Sequence, residues 1–424
     1  MSALAELEDL GRRLGADVER FVHEGKRELR QHLTDHPQPL YALLRTLAPV
    51  LVIHDIAIVT RYADVLAVLG DEDAFGVDPY GVKMRALAGE FILGLDDSLR
   101  YEREVSIMRL AAPRSDVPVL GGFLTQLTEQ LVADAAARDG LLDVVELAKE
   151  ISARLFVRWF GTPDADVQSL IAWTMPMFDD IFFNVTDNAQ IHASAERAAA
   201  QLRPYLEGAV AERKRGAGGE WGEDVIGRLL AMQADPATAL SDEQIATNLI
   251  GMVVGFIPTV ATAVPFALNA LLERPDALAG AQQAARRDDD DAVRAHMWEA
   301  MRLAPFAAGV LRRTRTDALV AADTHHAKLI PAGTLTLAAT ESAMLDGDVI
   351  DDPDGFRVGR PARDYLHFGA GLHHCFGRFV NAMQIPLIAK PLLRRAQLAH
   401  APGEDGQLQR EGPYPKSLIV SLDR

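Results

Sequence analysis

Cysteine is almost absent from this sequence: Cys375 stands alone among 424 residues. A single thiol excludes an intrachain disulfide and any zinc or iron–sulfur site built from several cysteines. Basic charge is short as well. With 43 Lys and Arg against 60 Asp and Glu, the net charge is -17. Phosphate backbones attract the opposite sign, so nucleic acid is not expected as a partner. The N-terminal stretch MSALAELEDLGRRLGADVER carries charge throughout and holds no apolar run long enough for a signal peptide or a membrane span. Later apolar runs such as LVIHDIAIVT (51–60) are short and broken by charge. No membrane association and a soluble, cytoplasmic protein are the expectation.

Against these absences, 49% of the residues are hydrophobic, enough for a large core. No internal repeat and no clear linker interrupt the chain, so residues 1–424 are read as a single domain. Helix is expected over 8–46 and 61–71 and across most of 120–290, with strand character at 49–60, 318–321 and 334–338. The run ARRDDDDA (285–292) reads as a solvated loop leading into a helix. Residues 242–273 form one long periodic apolar segment, a buried central helix interrupted by Pro258 and Pro265. A helix-interior proline costs roughly 3 kcal/mol. Disturbed hydrogen bonding is therefore expected near Gly255–Thr259.

The stretch YLHFGAGLHHCFGRFVNAMQ (365–384) carries the strongest chemical signal. Gly369, Gly371 and Gly377 surround His373 and Cys375, and glycines let a backbone run close to a bulky ligand or adopt positive φ. The pattern after Cys375 is helical, which puts the sulfur near a helix N-terminus, where unpaired N–H groups favour thiolate. Such a thiolate, packed by Phe368 and glycines, suits axial ligation of haem iron. A nucleophilic cysteine paired with His373 or His374 is the alternative, though two residues apart in a tight loop is poor geometry for it.

FGAGLHHCFG (368–377) resembles the cysteine-ligand loop of the cytochrome P450 family, Phe-Gly-x-Gly-x-His-x-Cys-x-Gly, with every fixed position present. Three more stretches agree in order. EAMR (299–302) is similar to the family's Glu-x-x-Arg, LIPAGT (329–334) to its turn into a strand, and DDPDGFRVGR (351–360) to its meander, with Arg360 as third member of the charge network. Taken alone, Glu299 and Arg302 at this spacing would be a surface ion pair. The resemblance covers most of the chain and is weakest over 75–230. It implies a mainly α fold with a small β region, a triangular helical body holding haem b between the central helix and the cysteine-loop helix.

The same resemblance makes Cys375 the metal ligand and places Phe368 and Gly369 against the cofactor. It gives Arg312 and His373 to the haem propionates, with Arg313 as rival to Arg312. The helix near residue 100 usually adds a histidine. DDSLRYERE (96–104) has none, which leaves Arg100, Tyr101 or Arg103 as substitutes. On the central helix the family sets glycine before an acid and a threonine that help deliver protons during oxygen activation. Thr259 falls on the threonine, Pro258 on the acid, and Gly255 at the start of the groove. A register one residue off puts Pro258 on the threonine and Ile257 on the acid.

The acid is missing in either register, so three activities stay open. One is monooxygenation of a small hydrophobic substrate, with dioxygen and two electrons from a separate ferredoxin or flavodoxin and its reductase. Another is hydrogen-peroxide-driven oxygenation, although the arginine that precedes proline in peroxide-using relatives is Ile257 here. The third is rearrangement of an already oxidised substrate. A non-catalytic haem-thiolate binder is the rival class. Pocket linings are expected from Phe91, Ile92, Met175, Phe178, Phe182, Phe256, Val260 and Phe306 to Val310. Arg378, Lys390, Arg394 and Arg395 offer basic charge for an acidic electron carrier.

Overall fold

The computed structural model describes residues 38–163, 167–216 and 221–423. Its helices in chain order are α1 (Gln38–Leu47), α2 (Tyr62–Gly70), α3 (Asp78–Leu87), α4 (Leu99–Ala111) and α5 (Val117–Arg138). Then come α6 (Val144–Phe160), α7 (Val167–Phe182), α8 (Ala189–Gly216), α9 (Val225–Met232) and α10 (Asp242–Leu272). The last are α11 (Pro275–Arg286), α12 (Asp290–Leu303), α13 (Thr340–Ala343) and α14 (Arg378–Leu393). Of the helix expected over 8–46, only the part from Gln38 lies within the described residues.

Helix α10 organises the rest. Ser241 caps it with a box in which its hydroxyl accepts from the Gln244 N–H and the Gln244 side chain returns to the Ser241 N–H. Residues from Ile245 to Leu271 are nearly all buried, and α6, α7, α8, α12 and α14 pack around it. Burial on every side explains why this helix is apolar all round rather than along one stripe. The expected interruption does not occur, because α10 runs unbroken through Pro258 and Pro265. Proline leaves the Val254 carbonyl without its N–H. On either side, Thr259 donates to the Gly255 carbonyl (2.8 Å) and Thr262 to the Pro258 carbonyl (2.7 Å).

Four small sheets accompany the helices among the described residues, and the largest, of five strands, positions the site. Val50–Ile53 and Ile56–Val59 form a hairpin, as the Val- and Ile-rich stretch 49–60 predicts. The second strand pairs in parallel with Leu335–Ala338, which pairs antiparallel with Val310–Thr314. Phe75–Gly76 closes the five-stranded sheet. This sheet fixes Arg312 in register opposite Thr336. Residues 318–320 and 328–330 make a separate two-stranded ribbon, with LIPAGT running from it through a turn into the main sheet.

Candidate active site

The Glu-Arg pair sits behind the cysteine loop as a buried cluster. Glu299 Oε1 accepts from Arg302 Nη2 at 2.8 Å and from Arg360 Nε at 2.9 Å, all three side chains being at most 2% exposed. The backbone N–H of Arg357 (2.9 Å) and the Tyr365 hydroxyl (3.2 Å) also donate to this carboxylate. Arg302 spends its remaining donors on the carbonyls of Met344, Pro353 and Gly355. Burial works against ionisation of Glu299, yet the hydrogen bonds from Arg302, Arg357 and Arg360 outweigh it and hold its pKa below the usual carboxylate value. The pair therefore ties the meander to α12, and the surface ion pair that the spacing alone would suggest is ruled out.

Ahead of this cluster the cysteine loop folds into left-handed turns. Gly369 and Gly371 have φ of 69° and 74°, and a Cβ at Gly371 would stand 1.9 Å from the Leu69 carbonyl oxygen. Gly377 differs from expectation: its φ is -79°, and its bare Cα instead leaves room beside Cys375 Sγ. The Cys375 N–H donates to the Phe368 carbonyl at 3.0 Å, and Glu72 accepts from the Leu372 N–H at 2.8 Å. These bonds hold Cys375 immediately before α14. Burial pushes its thiol up to about 11, against the opposing pull of the Gly377 and Arg378 N–H groups and the Arg378 charge. Desolvation thus overrides the helix-terminus effect in the free thiol, whereas a coordinated thiol is deprotonated outright.

Cys375 faces a cavity that lies between the loop and α10. Phe368, Gly369 and His373 line it from the loop side, and Gly255 and Thr259 line it from α10. A Cβ on Gly255 would project into empty space. Pro258 is buried and, like Ile257, does not line the cavity. Of these residues, Thr259 is the one whose side chain lines the cavity opposite the cysteine loop. Among the described residues no Asp or Glu lines the cavity at all.

Its charged and imidazole side chains are Arg109, Arg312, His367, His373 and His374. Arg312 is 4% exposed, gives Nη1 to the Leu311 carbonyl, and leaves Nε without a partner. Burial lowers its pKa, countered by the charges of Tyr80, Glu72 and Asp96. Arg313, the rival, turns out to solvent and bonds the Gly333 carbonyl. His373 Nε2 is likewise buried without a partner, and burial with the nearby Arg312 charge pushes this imidazole down to about 4. The neutral ring still carries one N–H donor.

The structure corrects the assignment on α4. Arg100 pairs with Glu104 (2.8 Å) and with Glu90 on its outer side and does not line the cavity. Arg103 bonds the Ala239 carbonyl. Tyr101 does face the site, with its ring 5.1 Å from that of His373 and its hydroxyl donating to the Leu372 carbonyl. Arg109, not anticipated, also lines the cavity. It lies four residues after Val105 and eight after Tyr101, both of which line the cavity, and this i, i+4, i+8 row was the available signal. His367 was missed too. It lines the cavity, both ring nitrogens are buried without partners, and burial pushes it down to about 3.

Phe91, Ile92, Phe178, Phe182, Phe256, Phe306 and Val310 line the cavity as expected, whereas Met175, Val260 and Ala308 do not. Met177 takes the place given to Met175.

These observations test the fit of a haem. A lone thiol faces the cavity, two unpartnered buried donors (Arg312 Nε and His373 Nε2) suit the carboxylates of a macrocycle, and no lining carboxylate repels them. Among the described residues no group of three or more His, Cys, Asp or Glu side chains converges to hold a metal. That is consistent with one protein ligand to a metal whose other ligands belong to a cofactor.

Comparison with known proteins agrees. The cytochrome P450 family model matches residues 164–421. Erythromycin C-12 hydroxylase of Saccharopolyspora erythraea is 28% identical over 324 residues, 75% of this chain and 76% of that protein. Vitamin D(3) 25-hydroxylase of Pseudonocardia autotrophica is 25% identical over 405 residues, covering 90% and 92% of the two chains. The crystal structure of CalO2 superposes with a TM-score of 0.79 at 24% identity, over 92% of this chain and 96% of that one. With its cysteine loop, its buried Glu-Arg-Arg cluster and the family match over most of its length, this chain belongs to the cytochrome P450 family of haem-thiolate monooxygenases.

Proposed function

We propose that the protein inserts an oxygen atom into a hydrophobic organic substrate, using dioxygen and two electrons from a separate carrier. The observation that supports this most is the opposition of Cys375 to the Gly255–Thr259 face of α10 across one apolar cavity. Haem b, held by Cys375 and by Arg312, His373 and Arg109 around its carboxylates, would supply the oxygen-transfer chemistry. The chain's own residues do the rest. Apolar walls exclude water and take up the substrate by burial. Thr259, the one hydroxyl that α10 presents to the cavity, gives its hydrogen to the Gly255 carbonyl, so its oxygen can accept from a water and hold that water in place as the proton donor.

The electron carrier would dock beside the cysteine loop. There Phe379, 38% exposed, is flanked by the guanidinium groups of Arg114 and Arg378 at 4.6 and 4.3 Å. An apolar ring between two cations fits an acidic ferredoxin or flavodoxin. Of the wider basic surface expected from sequence, Lys390 is paired with Asp288 and Asp290 and Arg394 with Glu129 and Asp288, whereas Arg395 bonds only the Asp423 carbonyl and keeps its charge. The protein is read as one cytoplasmic catalytic domain, a reading that fits the burial of its long apolar helix inside the helical body.

The absence of any lining carboxylate supports a second reading, in which hydrogen peroxide brings the oxygen atom, both electrons and the protons. The two are separated by supplying haem-loaded protein with a hydrophobic substrate panel and either a ferredoxin system or dilute peroxide. Product mainly with the carriers supports the first reading. Product mainly with peroxide, formed before the haem bleaches, replaces it with the second.

A further inference from the structure

The cysteine loop is held by its own backbone except at one place. Gly369 donates to the Leu366 carbonyl, His374 to that of Gly371 and Cys375 to that of Phe368, whereas neither Leu372 nor His373 makes a backbone–backbone hydrogen bond among the described residues. Side chains meet both polar groups of Leu372 instead. Its N–H donates to the Glu72 carboxylate at 2.8 Å, and its carbonyl accepts from the Tyr101 hydroxyl at 2.9 Å. The two come from separate elements, Glu72 from the connection after α2 and Tyr101 from α4.

These two side chains are themselves anchored. Ser98 caps α4 by accepting from the Tyr101 N–H at 3.1 Å, and Tyr101 is buried. Gly371 passes so close to the end of α2 that a Cβ there would run into the Leu69 carbonyl oxygen and lie 3.2 Å from Glu72 Oε1. Backbone polar groups that lose water must find partners, so a peptide without backbone partners settles where such side chains put it.

The residue that this fixes is His373. Its ring stands edge-on to that of Tyr101 at 5.1 Å, and its Nε2, buried without a partner, belongs to the cavity wall. An imidazole carried on a backbone with no hydrogen bonds of its own keeps one direction only if its neighbours hold it. The Tyr101 hydrogen is spent on Leu372, so the phenol is not free to donate to a haem carboxylate, and Arg100 turns outward. Part of what α4 contributes to the site therefore passes through the loop.

We propose that Tyr101 and Glu72 clamp the Leu372 peptide from its two ends and, through it, aim His373 at a carboxylate of the cofactor. Both are positioning residues: they act on the loop and leave the donation to His373. The proposal rests on the haem reading of the cavity, which haem uptake by wild type checks separately, and its test needs no turnover.

The test is the rate at which haem-loaded protein gives up haem to an excess of apomyoglobin, measured as a double-mutant cycle with His373. Tyr101→Phe keeps the ring and removes one neutral hydrogen bond, so haem loss should quicken about fivefold. In a His373→Ala background the same change should alter the rate by less than about twofold. Glu72 supplies a second pair. Its charge also reaches Arg312, so Glu72→Leu is compared with Glu72→Gln, which gives up the charge but keeps an acceptor for the Leu372 N–H. Glu72→Leu should lose haem about fivefold faster than Glu72→Gln when His373 is present, and at the same rate when it is absent. Equal effects with and without His373 overturn the proposal, since the two residues would then act by packing or on the cofactor itself. So does a changed thiolate signature in the reduced carbon monoxide spectrum of either variant, which would move the target of the clamp to Cys375. Should Tyr101→Phe fail to fold, or His373→Ala hold no haem, Glu72→Leu matching Glu72→Gln overturns the proposal by itself. Wild type that takes up no haem refutes the haem reading and the proposal with it, whereas haem-loaded wild type with additive variants refutes the clamp alone.

Discussion

Replacing Glu299 by Gln is the most direct test of how this fold holds its cofactor loop. The side chain keeps its size and loses its charge, so Arg302 and Arg360 are left as buried guanidinium groups facing a neutral amide. One of the amide's two polar ends is itself a donor and faces donors from Arg302 or Tyr365. Removing one partner of a buried ion pair costs about 3–5 kcal/mol. At roughly 2.1 cal/mol/K per residue, a chain of this length unfolds with an entropy near 0.9 kcal/mol/K, so the cost corresponds to a fall in Tm of roughly 3–6 °C. The pH dependence should change with it. Glu299 has a folded pKa below its unfolded one, so it contributes stability that is full above the unfolded value, near 4.5, and is lost as pH falls through the folded value. Wild type should therefore lose stability relative to Glu299→Gln on acidification below about pH 4.5, and the gap between them should narrow. Thermal melts of both proteins, haem-loaded, from pH 7 down to pH 3 would show this. A variant that melts within 1 °C of wild type at pH 7 (a shift of only ~1 kcal/mol on the same scale) would refute the view that the cluster clamps the meander.

Three further outcomes are expected. Arg312→Leu removes a buried donor from the cavity edge and should weaken haem retention at least tenfold, read by transfer of haem to an excess of apomyoglobin; Arg313→Leu, which changes an outward side chain, should not. Thr259→Ala should lower carrier-driven product formation by about tenfold or more, in the range of a lost proton-transfer group, with little effect on peroxide-driven product. Equal loss on both routes would assign Thr259 to packing. Pro258→Ala gives the Val254 carbonyl back its N–H, relieving up to ~3 kcal/mol, and deletes two buried methylene groups at ~0.8 kcal/mol each, so chemical denaturation should show net stabilisation of about 1 kcal/mol. A destabilised variant would mean that the proline ring is better packed than its lost hydrogen bond is costly.

The sequence was most informative where the chemistry is local. Cys375, Phe368, Gly369 and Gly371 lie within eight positions, and their turns and lone thiol fix the loop whatever surrounds it. Glu299 and Arg302 were legible for a related reason, since one helical turn joins them. Their burial was not, because it depends on carbonyls of residues 344–355 brought in by the fold. Side-chain direction on helices was the weak point. Arg100 was a reasonable candidate by charge, but Glu104 one turn on and Glu90 across a loop draw it outward. Each step along a helix turns a side chain by 100°, so Val260, one step from Thr259, and Met175, two steps from Met177, fall outside the cavity that those neighbours line. Lys390 failed as a docking charge because its partners, Asp288 and Asp290, come from a segment a hundred residues away that read only as a solvated acidic run.

The same reasoning bears on Pro258. From sequence it occupied the position of a missing acid and invited a chemical explanation. In the fold its ring is buried among the neighbours of α10, on a side of the helix that does not reach the cavity, and the helix continues through it. An acid restored at that position would be driven into the core rather than toward Cys375. The character of the site therefore lies in the whole lining, which offers arginine and imidazole, the hydroxyls of Thr259, Tyr80 and Tyr101, and, among the described residues that line it, no carboxylate. Any proton delivered to the reaction must come through water held by those groups or arrive with the oxidant. For that reason the comparison of carriers with peroxide, made on Thr259→Ala as well as wild type, distinguishes the two mechanisms where a substitution at Pro258 cannot.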